Sequence, residues 1–120
     1  MNRGEVWTLQ DDNYAHKARP VIILQDKLAD TFDSVILCLL TSYNSEGITT
    51  RVRIEPSETN GLRKTSYVMT EKLLTVRKTE LGKRIGKLTD DQVRSIAKQL
   101  ASLLGITKDD LADNEGHTAL

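Results

Sequence analysis

A single cysteine, Cys38, rules out an internal disulfide, and its place inside Val35-Ile36-Leu37-Cys38-Leu39-Leu40 reads as a small core residue rather than a nucleophile. The only histidines, His16 and His117, stand far apart, and neither Cys-x-x-Cys nor His-x-x-x-His spacing occurs. No metal is expected, and no other cofactor. The apolar stretches fall well short of a membrane span, so no membrane attachment is expected. No apolar segment follows the basic start Met1-Asn2-Arg3-Gly4-Glu5, so a secretory signal is not expected either, and a cytoplasmic location is the default.

What is present points to a folded, soluble protein. Hydrophobic residues make up 38% and charged residues 28% of the chain, too apolar a balance for disorder. At 120 residues, one compact domain with a real core is expected, without staples. No repeat or linker divides it. The zero net charge hides an asymmetry: residues 1–48 carry four Lys/Arg against seven Asp/Glu, residues 49–98 twelve against six, and residues 107–120 one against four. A basic middle between acidic ends fits a nucleic-acid face or an ordinary solvated surface, and charge alone does not choose.

Residues 5–9 alternate, with Val6 and Thr8 on one face and Trp7 and Leu9 on the other, which predicts a first strand. Residues 10–18 are polar and without helical period, and so read as a loop. Val21, Ile22, Ile23 and Leu24 read as a second strand buried on both faces. A helical turn is expected at 28–32 and a third, strongly apolar strand at 34–40, ending at Thr41-Ser42. Residues 49–54 alternate with Arg51 and Arg53 on one face, which predicts a fourth strand closed by Pro56. Asn60-Gly61 signals a turn, residues 67–71 a fifth strand, 73–76 a short apolar piece and 83–88 a last strand. The period changes only at Thr89. There a Thr-x-x-Gln cap precedes Val93, Ile96, Ala97, Leu100, Leu103 and Leu104 at spacings of three and four, and Gly105 ends the helix. The expected fold is mainly β with a C-terminal helix: a small antiparallel, partly barrelled sheet on which the helix packs. Residues 1–106 form the domain and 107–120 an acidic, mobile tail, part of which Leu111 can anchor.

Arg19 stands directly before Pro20 and the apolar run. Proline fixes its own φ and favours extended geometry in the residue before it, so Arg19 leaves the strand mouth in a defined direction. It is either a surface ion-pair partner or a fixed charge for a ligand, and this stretch leaves both open.

Arg3-Gly4-Glu5-Val6-Trp7, Arg19-Pro20-Val21-Ile22-Ile23, Thr41-Ser42, Gly61-Leu62, Ser66-Tyr67-Val68, Glu71 and Thr75-Val76 together carry a resemblance, over residues 3–106, to the MazF/PemK (Kid-like) toxins of toxin–antitoxin pairs. Each piece is weak alone, but the ordered set is specific. The resemblance implies a small SH3-like antiparallel barrel and a homodimer. It also implies sequence-selective, metal-independent cleavage of single-stranded RNA, and neutralisation by a cognate MazE-like antitoxin whose C-terminal segment occupies the RNA groove. Carried over, the catalytic arginine falls on Arg19 and the catalytic threonine on Thr41. Ser42 matches an RNA-contacting position and Glu71 an acidic one used for binding or acid–base work. Two departures stand out. Residues 10–18 form a shorter loop than is usual and lack glycine, so base selectivity is expected to differ. Met69 replaces an arginine found in some members, so their general acid does not transfer.

Metal-free RNA cleavage needs a group to stabilise charge on the phosphate, one to deprotonate the 2′-OH and one to protonate the departing 5′ oxygen. Arg19 suits the first task, because guanidinium offers forked donors and keeps its charge. Thr41 can position the phosphate or the 2′-OH. His16 and Glu71 are the acid–base candidates, with solvated bystander and exposed strand-end charge as their plainer readings. Ser42, Thr70, Arg51 and Arg53 are expected to contact RNA, with Lys64 and Lys72 as further backbone contacts. Tyr14 and Tyr43 are placed to stack bases. With three tyrosines and one tryptophan the stacking surface is small, so a short recognised sequence is expected. The competing readings are a non-catalytic, CcdB-like gyrase inhibitor on the same fold, which has no need of the Arg19/Thr41 pair, and a plain SH3-like binding module.

Overall fold

The computed structural model of the protein describes residues 1–11 and 17–112. Six antiparallel strands form one sheet: β1 (Glu5–Asp11), β2 (Lys17–Ile23), β3 (Ser34–Thr41), β4 (Val52–Ile54), β5 (Ser66–Arg77) and β6 (Leu81–Lys87). Their order is β4-β5-β3-β2-β1-β6. β5 and β6 lie far apart in that order, yet only the 3-10 turn Lys78–Glu80 joins them. So short a link requires the sheet to curl toward closure, and a curled half-barrel results. Helix α1 (Asp90–Leu104) follows, and after it a single turn, α2 (Lys108–Leu111).

β2 shows why its sequence is apolar without alternation. Ile22 enters a cluster with Val6, Cys38, Leu40, Ile54, Leu62, Val68, Leu88 and Ile96, against which Val93 and Leu100 of α1 pack. Its neighbours Val21 and Ile23 point the other way, into a cluster with Val35 and Leu37 that Trp7, Leu9, Val76 and Leu81 border. Both faces of this strand are core, and each such aliphatic side chain stabilises by roughly 1.5–3 kcal/mol.

The helix obeys its sequence signals. Thr89 Oγ1 accepts from the Gln92 N–H at 3.2 Å, and Gln92 Oε1 accepts from the Thr89 N–H at 2.9 Å. Gly105 ends the helix at φ 71°, and the Ile106 N–H returns to the Ala101 carbonyl at 2.8 Å.

Several boundaries differ from expectation. Arg19 lies inside β2, opposite Leu9 of β1, rather than ahead of the strand. β4 is only three residues long, and Arg51 precedes it. The fifth strand and the short apolar piece after it are one 12-residue strand. Their apparent break is a bulge: the β3–β5 register steps from Leu39 opposite Met69 to Cys38 opposite Leu73, which leaves Thr70, Glu71 and Lys72 extra on β5. The beginning of the expected tail forms α2, capped by Thr107, and Leu111, expected to anchor it, is exposed. Residues 113–120 lie outside the described residues. Among those described, no helix is long and apolar enough to cross a membrane.

Candidate active site

β2 and β3 pair only through Val21–Leu39, Ile22–Cys38 and Ile23–Leu37. Carried two residues further, the same register sets Arg19 opposite Thr41, but there the strands part. Among the described residues, 17–20 are therefore paired with β1 on one side only, the setting in which a strand tolerates a proline such as Pro20. A groove of about 650 Å³ opens at the parting. Pro20, Leu40, Leu62 and Ile85 give it apolar lining, while Arg19, Thr41, Ser42, Arg63, Lys64 and Ser66 supply charge and hydroxyls.

One wall is the loop between β4 and β5, and buried Asn60 shapes it. Asn60 Oδ1 accepts from the Ser57 and Leu62 N–H groups at 3.0 and 2.9 Å, and its Nδ2 donates to the Glu55 carbonyl at 2.8 Å. Gly61 has φ +70°, and a Cβ there would sit 2.2 Å from the Ile85 carbonyl oxygen, so the loop presses directly on β6. Arg63 and Lys64 emerge from this braced turn.

Thr41 ends β3 half-buried, and its Oγ1 accepts from the Tyr43 N–H at 3.1 Å. That bond uses an oxygen lone pair and leaves the hydroxyl proton to donate. Ser42 and Tyr43 are exposed beside it.

The other expected contacts fall elsewhere. Arg51 donates from Nε to Glu71 Oε2 at 3.1 Å and from Nη1 to Ser45 Oγ at 3.0 Å. This pairing holds the Glu71 carboxyl below its usual range. A carboxylate so stabilised is a weaker base, and its oxygens are engaged by Arg51 at a distance from the groove lining. Arg53 pairs with Glu46 and Glu55. Neither arginine lines the groove. Thr70 is fully buried and donates to the Thr50 carbonyl at 2.7 Å, so its side chain offers RNA nothing. His16 and Tyr14 lie outside the described residues. Sequence reasoning passed over Arg63, although a basic pair directly after Asn60-Gly61-Leu62 was its available signal. Cys38 is buried, and burial pushes its thiol up to about 12, as a core residue requires.

The model of the PemK-like, MazF-like toxins of type II toxin–antitoxin systems matches residues 2–104. The chain belongs to this family. A probable endoribonuclease MazF of Mycolicibacterium smegmatis is 34% identical over 107 residues, which span 88% of this chain and 98% of the relative. Among solved structures, an endoribonuclease in complex with its cognate antitoxin, from a mycobacterial species, superposes with a TM-score of 0.75 at 30% identity, covering 89% of this chain and 97% of that one. Toxin MazF-mt6 of Mycobacterium tuberculosis gives 0.73 at 26% identity, with 86% and 98% covered. The groove at the β2–β3 parting, which Arg19 and Thr41 both line, is the candidate site.

Proposed function

We propose that this protein is a metal-independent endoribonuclease toxin that cleaves single-stranded RNA in the cytoplasm, acts as a homodimer and is neutralised by a cognate antitoxin. The observation that carries the reading is the convergence of Arg19, Thr41 and Ser42, with Arg63 and Lys64, on one groove. The 2′-OH attacks the adjacent phosphorus and the bond to the 5′ oxygen breaks, leaving a 2′,3′-cyclic phosphate and a 5′-hydroxyl. Arg19 stabilises the charge that builds on the non-bridging oxygens. Thr41 donates a hydrogen bond to the same phosphate and orients it, while Arg63 and Lys64 hold the backbone on the far wall. Tyr43 stacks a base. His16, three residues before Arg19, is a side-chain candidate for proton transfer.

An antitoxin segment with acidic side chains fits the same basic walls, and its affinity is expected to fall with salt. Exposed Phe32, Ile36, Leu73 and Leu74 give apolar surface of the kind that associating copies cover.

The test incubates wild type and Arg19→Ala with a defined long RNA in excess chelator and maps the new ends. Discrete cuts with cyclic phosphate and 5′-hydroxyl ends, lost in the variant while its fold is kept, are expected. RNA left intact by both proteins overturns the reading in favour of a gyrase inhibitor.

A further inference from the structure

Glu71, Arg51, Ser45 and Tyr43 form one continuous line of hydrogen bonds that ends on Thr41. The guanidinium of Arg51 grips both carboxylate oxygens of Glu71 through Nε and Nη2, and its Nη1 donates to Ser45 Oγ at 3.0 Å. Ser45 Oγ donates to the Tyr43 carbonyl at 2.9 Å, and the Tyr43 N–H donates to Thr41 Oγ1 at 3.1 Å. Ser45 is only 3% exposed, so the middle of this line is shielded from water. One step along, Thr70 pins the same loop through the Thr50 carbonyl. Both anchors, Thr70 and Glu71, belong to the three residues that the bulge adds to β5. The bulge thus turns two strand residues away from the β3 ladder and toward the loop that follows Thr41.

We propose that Glu71, Arg51 and Ser45 are positioning residues that clamp the Tyr43 backbone and thereby fix the Thr41 hydroxyl with its proton aimed at the groove. This rests on the endoribonuclease reading and assigns Glu71 a role that involves no proton transfer. The Tyr43 N–H occupies one lone pair of Thr41 and orients the hydroxyl, whose proton stays free to donate to the ligand. Without the clamp, Thr41 can rotate and Tyr43 swings with its loop. The line needs a forked cation at its centre, because Arg51 holds Glu71 and Ser45 at once, a task that a lysine ammonium lacks the geometry to perform.

Glu71→Gln and Ser45→Ala, alone and combined, test this. Each single change is expected to lower kcat about 10- to 100-fold, as misplacement of a catalytic group does, with a smaller rise in KM from the loosened Tyr43. The double variant is expected to fall no further than the worse single one, because both break one line. The pH–rate profile is expected to keep its shape in Glu71→Gln. Independently of activity, hydrogen exchange at the Tyr43 amide is expected to accelerate in both variants. Loss of one limb of the pH profile in Glu71→Gln makes Glu71 a proton carrier and overturns the proposal, as does unchanged Tyr43 exchange. Wild-type protein that leaves RNA intact while Tyr43 exchange accelerates in the variants removes the endoribonuclease reading and leaves the clamp standing.

Discussion

Replacing Asn60 by alanine should cost the protein much of its stability, although Asn60 touches no candidate catalytic residue. Its side chain makes three hydrogen bonds to backbone at 2.8 to 3.0 Å and is 2% exposed, so water cannot readily take its place. Alanine orphans two N–H groups and one carbonyl. At about 1 kcal/mol each, the loss is about 3 kcal/mol. For a chain of this size 1 kcal/mol shifts Tm by about 4 °C, so a fall of about 12 °C is expected in thermal unfolding at fixed protein concentration. Asn60→Asp keeps an acceptor for Ser57 and Leu62 but sets a buried carboxylate oxygen against the Glu55 carbonyl, so it should also be destabilised near neutrality. The loop also carries Arg63 and Lys64, so RNA affinity should weaken below the unfolding transition. A Tm drop smaller than about 3 °C in Asn60→Ala would mean that the loop is braced by its packing on β6 alone, and the hydrogen-bond argument would fail.

The Arg51–Glu71 pair should make stability depend on pH. Because Glu71 titrates below its ordinary 4.5 when folded, its contribution is present above that value and is lost as pH falls through the folded one. Glu71→Gln should therefore lower Tm more at pH 7 than at pH 3, and equal losses at both would show that the pair contributes nothing. Cys38, its thiol pushed up to about 12 by burial, should resist iodoacetamide at pH 8 in the native protein and react once unfolded in guanidinium; fast native alkylation would contradict the packing. Thr89→Ala removes the cap on α1 and should cost about 1 kcal/mol, whereas Thr89→Ser should be close to neutral in a urea titration.

Features set by neighbours in sequence were legible. The cap at Thr89, the stop at Gly105 and the turn at Asn60-Gly61 each depend on a few consecutive residues and stand where the pattern put them. The division of β5 was misread for the opposite reason. Thr70, Glu71 and Lys72 interrupt the apolar run as a loop would, and only their relation to β3 shows that they bulge from an unbroken strand. Arg19 was placed outside β2 because proline ordinarily marks a strand's start. β1 pairs past Pro20 while β3 does not, a difference between two partners that one strand's own sequence does not carry.

The same distinction governs the site. Arg19 and Thr41 stand out because each sits beside a visible break, a proline in one case and the end of an apolar run in the other, and the sheet brings those breaks together where β2 and β3 part. Arg51, Arg53, Thr70 and Glu71 have residue types equally suited to RNA, yet each has a partner within the fold and none lines the groove. Arg51 and Glu71 are 20 positions apart and satisfy each other, and Thr70 spends its proton on the Thr50 carbonyl. Residue type alone does not assign a side chain to a ligand, because its place in the fold depends on pairs that a single stretch does not show. Two pairs within the basic stretch of residues 49–98 show the contrast. Arg51 and Arg53 fasten the loop after Thr41 to its neighbours, and Arg63 and Lys64, raised on the turn that Asn60 braces, are left to meet an anion in the groove.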